Sequence, residues 1–520
     1  MISVLTFLLN LLVFILVLGV IILLHELGHF FVAKKIGVLC HEYSIGMGPA
    51  IYQYKKGETT YSIRAIPIGG FVSLAGEDNN DAMFSVGDTL GLRLNDEKQV
   101  IGIVLSQELE YDVLGKVVNY ELYDREQEGL FVEIELEDST IERYDVLDDA
   151  KYYWGKKKEI QIAPKERSLE SKPKWQRFLV MFAGPLMNFV LAILLFIFAY
   201  ALIGKPVNEA KISKVDPNGP LSLSALKDEK NFTIESVNGV TVNSWDELSL
   251  EIQKYPGEEI VIKVLDRTEL VTINTRVDLN ILGISNLNVE TGIISEQLVV
   301  GQLFGVGTKS GLEPGDKITA INGDGVATWG DLVDQVNNLE TREIVIDFIR
   351  NERTDQVTYN IIPKGTLEGQ GIPATRVLVG IERATKFNLG YALQMGFVDF
   401  GDNALKIFRI LGALFTPKTS GVSVTDLAGP IGIFNLVAQV RQGGFAAVIL
   451  FMGFLSVNVG LINLMPIPAL DGGRILFLGI EAVTRKPLNR KVETWVNNIA
   501  FLLLMALFVV IMVFDVIRIF

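Results

Sequence analysis

The chain has 520 residues, 49% of them hydrophobic, with a mean hydropathy of +0.34 and a formal net charge of −14. That apolar content fits a few membrane spans with polar domains between them, and the acidic balance excludes a nucleic-acid partner, because phosphate binding needs a basic surface. The single cysteine, Cys40, excludes an internal disulfide framework and any metal site built on two or four cysteines.

Val4 to Leu24 is apolar, broken only by Thr6 and Asn10, and runs into His25-Glu26-Leu27-Gly28-His29. No Lys or Arg precedes this run, it is longer than a signal-peptide core, and no small-x-small cleavage site follows, so residues 1–36 read as a retained span. On a helix, two His at i and i+4 lie on one face and can share one Zn²⁺, with the intervening Glu as general base on the attacking water. Only three His occur in the whole chain, and ionisable groups at membrane depth default to function. Lys34 and Lys35 mark the cytoplasmic end of the span, which puts the N-terminus outside. Cys40 and His41 lie past the helix end and read as bystanders to the metal.

Residues 37–78 read as a membrane-associated β-hairpin region. Tyr61 to Ile66 alternates as a strand does, and Gly69-Gly70 marks a turn or bulge. Such a hairpin beside a protease site could pair with an extended substrate by strand addition, or it could simply pack. Residues 79–177 are acidic and strand-like without a long apolar run, as expected of a cytoplasmic β-rich domain. Their basic end, from Lys156 to Arg177, again marks the cytoplasmic side. A second span follows at 178–203. Ala183-Gly184-Pro185 in its first turns allows close helix approach, and Asn188 reads as an interhelical hydrogen-bonder ahead of a site residue.

The next stretch contains a repeat. Ile234 to Gly239, Trp245, Leu248 and Glu259 to Ile262 match Ile318 to Gly323, Trp329, Leu332 and Glu343 to Ile346 at one offset of 84 residues. Each copy predicts strand, Asn-Gly turn, strand, helix from the Trp, strand. Gly311-Leu312-Glu313-Pro314-Gly315-Asp316-Lys317-Ile318 resembles the signature of PDZ domains of bacterial proteases. The expected organisation is a first, degenerate PDZ-like α+β domain at 206–290 and a second at 291–385, both extracytoplasmic.

Residues 386–442 suit amphipathic helices on the membrane surface, because Asp399, Asp402, Lys406 and Arg409 interrupt the apolar pattern. The third span is expected within 443–484 and carries Asn463-Leu464-Met465-Pro466-Ile467-Pro468-Ala469-Leu470-Asp471-Gly472. Two prolines break the helix at membrane depth, which is tolerated where backbone lines a cavity. Two His leave zinc short of a third protein ligand, and Asp471 could supply it; the rival role for Asp471 is a helix N-cap. Asn463 could bind substrate or the developing oxyanion. A fourth span at 497–518 completes a polytopic α-helical membrane protein with both termini outside.

Taken together, these motifs resemble the site-2 proteases of the bacterial RseP type (peptidase family M50B). The resemblance rests on His25 to His29, Gly46-Met47-Gly48-Pro49, Ile68-Gly69-Gly70-Phe71-Val72, Ala183-Gly184-Pro185 with Asn188, and Asn463 through Gly472. It implies an intramembrane zinc metalloprotease of the bacterial inner membrane that cleaves single-pass membrane proteins in regulated intramembrane proteolysis. Anti-sigma factors and remnant signal peptides are its usual substrates. By position it implies His25, His29 and Asp471 as zinc ligands, Glu26 as base, and Asn463 in substrate binding; Gly69 and Gly70 are added here as a substrate-holding edge. A zinc-binding scaffold or transporter is the competing class, but a scaffold has no need of Glu26, and a transporter would string its ionisable residues along a path.

Overall fold

The computed structural model describes residues 4–519 except 77–82, 107, 124–128, 156–157, 289–291, 296, 340–342, 363, 365–366, 368–371, 415–428, 487 and 489. Parts of the expected β-rich domain, including Lys156 and Lys157, and of the surface-helix stretch 386–442 lie outside the described residues. The chain divides into two units, Met1–Leu202 with Leu389–Phe520, and Ile203–Asn388.

Among the described residues of the first unit, four helices are long and apolar enough to cross a membrane: α1 (Val4–Lys35), α2 (Lys174–Ile203), α7 (Phe445–Asn463) and the Val492–Ile517 part of α9 (Arg490–Ile519). This marks an integral, polytopic membrane protein. Helix α1 stops at Gly37, which adopts φ +78° while the Val38 N–H bonds the Ala33 carbonyl at 2.9 Å, a left-handed C-terminal cap that favours glycine. Small residues bring the spans together. A Cβ on Gly28 would lie 2.4 Å from the Ala183 carbonyl oxygen, and one on Gly460 would lie 2.6 Å from the Phe189 ring. Val17 and Ile21 of α1 are packed with Met452 and Leu455 of α7.

The apolar stretch 443–484 is two helices rather than one. Helix α7 ends at Asn463, the chain turns through Pro466 and Pro468, and α8 (Asp471–Thr484) begins. Proline at both positions removes donors that a continuous helix would use. Ala469 takes a left-handed conformation (φ +74°), and its N–H donates to the Asn497 side chain of α9 at 3.0 Å. Two further helices pack among the spans. In α5 (Leu389–Leu414), Ile407 is buried and Phe397, Leu405 and Phe408 are exposed, and Asp399 accepts from Tyr200 of α2 at 2.7 Å. In α6 (Pro430–Gln442), the Gly432 N–H donates to Asp515 of α9 at 2.8 Å and Arg441 donates to Asn10 of α1 at 2.7 Å.

The expected hairpin is a small four-stranded sheet made by two long strands, β1 (Cys40–Lys56) and β2 (Thr59–Leu74), each folded back on itself. Glu42 to Ile45 pairs with Gly70 to Ser73 on one side and Thr60 to Ile63 on the other, and Tyr52 to Lys56 pairs beyond. Glycines 46, 48, 57 and 69, all at positive φ, make the reversals. Segment 70–74 is thereby an edge of this sheet. At the other end of the sheet, Glu58 accepts from both Lys34 and Arg167, fastening the turn to the end of α1. Residues 89–161 form a six-stranded sheet closed on itself by parallel pairing of Val100–Val104 with 146–153, around Leu90, Leu92, Ile103, Val132 and Ile134.

The second unit holds two similar halves. Asn238-Gly239 and Asn322-Gly323 both turn at positive φ, and each Asn side chain accepts a backbone N–H across the sheet, from Val261 at 2.7 Å and from Val345 at 2.9 Å. Helices α3 (Trp245–Gln253) and α4 (Trp329–Asn337) are capped by Ser244 and Thr328. The expected boundary at 290/291 does not follow the course of the chain. Val277 to Ile284 packs in the core of the second half, and strand Ile381–Arg383 completes the sheet of the first by pairing with Lys211–Val215. The second half is therefore inserted into the first.

Candidate metal centre

Helix α1 carries His25 and His29 on consecutive turns with Glu26 beside His25, so the two imidazoles meet edge to face with ring centroids 4.9 Å apart. Their Nε2 atoms are 3.3 Å apart. Asp471, the first residue of α8, places Oδ2 3.2 Å from Nε2 of His25 and 3.4 Å from Nε2 of His29. The N-cap position belongs to Leu470, and no side-chain cap bond is made there, so the Asp471 carboxylate turns to the imidazoles rather than to its own helix. Gly472 and Gly473 permit this. A Cβ on either would lie 2.2 or 2.3 Å from the Met465 or Ile467 carbonyl oxygen, so the proline turn can lie directly against the start of α8.

Helix α2 closes the far side. Its Val180 carbonyl accepts from Nδ1 of His29 at 2.7 Å, in a turn loosened by Pro185, whose ring leaves the Met181 carbonyl without its helical donor. The Asn188 carboxamide lies 3.1 Å from Nδ1 of His25. Gly184 sits between them: a Cβ there would be 2.2 Å from Nε2 of His29 and 2.9 Å from Cε1 of His25.

These donors fit a zinc ion. A tetrahedral site with bonds of about 2.0–2.1 Å has ligand atoms about 3.3–3.4 Å apart, which is the spacing of the three inward atoms. Asp471 Oδ2 is buried with no hydrogen-bond partner, and Gly184 leaves open the space a methyl would fill. Two imidazoles and a carboxylate are a catalytic zinc donor set with one position left for substrate or water.

A cavity of about 450 Å³ opens onto this triangle, and Glu26, Asn463, Gly69, Gly70 and Arg474 all line it. The site residues expected from sequence are thus brought to one place. Gly70 lies close to Glu26; a Cβ on it would be 3.1 Å from Glu26 Cγ and 2.8 Å from the Ser44 carbonyl oxygen. Val180 and Gly184 escaped the sequence reading as members of the site, and Asn188, which the sequence offers as a packing or a site residue, joins them there. Their common spacing of four residues, which puts all three on one face of α2, was the available signal. Cys40 and His41 are not among the cavity-lining residues.

Comparison with known proteins agrees with this chemistry. The chain is 30% identical to the zinc metalloprotease RasP of Bacillus licheniformis over 98% of each chain. It is 30% identical to the regulator of sigma-W protease RasP of Bacillus subtilis, again over 98% of each, and 28% identical to a putative zinc metalloprotease of Staphylococcus aureus over 97% of each. The profile of peptidase family M50 matches residues 13–507, from the first span through the last and so across the whole metal centre. With that coverage and that site, the chain belongs to peptidase family M50.

Proposed function

We propose that this protein is an intramembrane zinc metalloprotease of the bacterial cell membrane, hydrolysing peptide bonds within transmembrane segments of single-pass proteins such as anti-sigma factors or remnant signal peptides. The observation that carries the reading is the 3.2–3.4 Å triangle of His25, His29 and Asp471, set between apolar helices and open to a cavity that Glu26 lines. His25, His29 and Asp471 hold the zinc, which when bound supplies Lewis acidity for hydrolysis of the scissile amide. Glu26 takes the proton of the attacking water on its carboxylate and delivers it to the leaving nitrogen. Asn463 donates its carboxamide N–H to the substrate carbonyl as negative charge develops there.

A peptide bond in a transmembrane helix is shielded by its own hydrogen bonds, so the substrate must be extended locally. The edge segment Gly70–Leu74 offers backbone groups beside the cavity for an added strand, and Gly69 and Gly70 keep side chains out of the way. Lys34 and Lys35 at the end of α1 support a site near the cytoplasmic face, by the positive-inside rule, with residues 79–177 on that side and the two PDZ-like halves outside. In the first half, a cavity of about 430 Å³ lies between α3 and residues 373–382, suited to an extended peptide.

The test is to map the products. A single-span substrate incubated with the purified protein in detergent should yield fragments whose new ends lie inside the span by mass spectrometry. Glu26→Gln should abolish them while retaining zinc. Ends confined to the segments flanking the span would refute intramembrane cleavage.

A further inference from the structure

Asn188 is fully buried in α2, and it is engaged from both sides. Its backbone carbonyl accepts from Ser456 of α7 at 2.8 Å, and its carboxamide meets Nδ1 of His25 at 3.1 Å. Which carboxamide atom faces His25 is a matter of a half-turn about one bond. With nitrogen facing the ring, the amide donates to Nδ1 and the proton of a neutral imidazole sits on Nε2. That proton would then point into the triangle with His29 and Asp471, where a lone pair is needed.

The neighbouring imidazole shows the arrangement the site requires. Nδ1 of His29 meets a carbonyl oxygen, which can only accept, so its proton is on Nδ1 and its Nε2 is bare. Val180, Gly184 and Asn188 are spaced four residues apart on one face of α2, matching His29 and His25 four apart on α1. The face reads acceptor, open space, acceptor.

We infer that Asn188 is a positioning residue of the metal centre: its carboxamide oxygen accepts the Nδ1 proton of His25 and holds Nε2 toward the metal, as the Val180 carbonyl does for His29. The inference rests on the zinc-protease reading above and adds to it an outer support for one ligand. Asn188 contributes to metal affinity and orientation, and takes no part in proton transfer.

The experiment measures zinc affinity of the full chain in detergent by chelator competition, with cobalt absorption as a second readout. The variants are His25→Ala, Asn188→Leu and Asn188→Asp. Leu keeps the volume but removes the acceptor; Asp keeps an oxygen acceptor. Wild type should bind one equivalent and His25→Ala should not. Asn188→Leu should bind about 10–100-fold more weakly, with an altered cobalt spectrum, and Asn188→Asp should stay within about threefold of wild type. Leu binding as tightly as wild type, or Asp as weak as Leu, overturns the role of Asn188 while leaving the metal centre standing. Cleavage lost in Asn188→Leu with affinity unchanged also overturns it, because Asn188 would then act on substrate. Wild type that takes up no zinc, or His25→Ala that takes up as much, would overturn the metal centre itself.

Discussion

At the scale of single residues, the spacing of His25, Glu26 and His29 was legible because helical geometry is local: four residues always return to the same face. Asp471 was legible only by chemistry, as the missing third ligand, since the 441 residues between it and His29 carry no distance information. Asn188 was legible only as one of two alternatives, site or packing, because a buried Asn between spans has a sufficient packing role. His41 shows a different behaviour from its near neighbours. Its Nδ1 is buried without a hydrogen-bond partner; burial pushes the imidazole down to about 4, with Glu58 pulling up and Arg167 pushing down. Above pH 6.5 the ring is neutral both folded and unfolded. Between pH 6.5 and 4 only the unfolded chain takes up the proton, so stability is lost as pH falls through that window, by about 3 kcal/mol. The apparent melting temperature in detergent should therefore fall less from pH 7 to 4.5 in His41→Gln than in wild type. An equal fall in both would show that His41 is not the titrating group.

At the scale of elements, the two proline-interrupted stretches behaved differently. In α2, Pro185 is absorbed within a continuous helix, and the Val180 carbonyl upstream of it accepts from His29. Between α7 and α8, Pro466 and Pro468 stop the helix, and the left-handed Ala469 completes the turn that delivers Asp471. Sequence foretold the break and offered a helix capped by Asp471 beyond it, but not that Leu470 would take the cap position and Asp471 the first turn of α8. The β1–β2 region was foretold as a hairpin, yet the glycines at 46, 48, 57 and 69 reverse the chain repeatedly and leave 70–74 as an edge beside Glu26. Turn residues announce a reversal without saying which strands meet across it. This edge yields a prediction. Gly70→Ala introduces a methyl 2.8 Å from the Ser44 carbonyl oxygen and 3.1 Å from Glu26 Cγ, so the edge must shift. Cleavage of a helical substrate should fall roughly tenfold with zinc content unchanged, and a substrate carrying a helix-breaking Pro or Gly near the cut should be less affected. Equal loss on both substrates would count against strand addition.

At the scale of the whole molecule, hydropathy located the four spans closely, because a bilayer demands long apolar helices and little else imitates them. The repeat was legible from its Asn-Gly turns and Trp-led helices, whose local hydrogen bonds recur in both halves. The insertion of one half into the other was not legible: strand Ile381–Arg383 pairs with Lys211–Val215 across 165 residues of chain, and a three-residue strand has too little pattern to declare its partner. In the proposed function, residues from opposite ends of the chain, His25 and His29 in the first span and Asp471 after the third, bind one zinc that Glu26 uses for hydrolysis. The most direct measurement of this is zinc stoichiometry together with cleavage of a single-span substrate by wild type, Glu26→Gln and Asp471→Ala in detergent. The account predicts one zinc per chain in wild type, retained with cleavage reduced at least about a thousandfold in Glu26→Gln, and zinc weakened along with cleavage in Asp471→Ala. Full cleavage by Glu26→Gln, or undiminished zinc binding by Asp471→Ala, would contradict it.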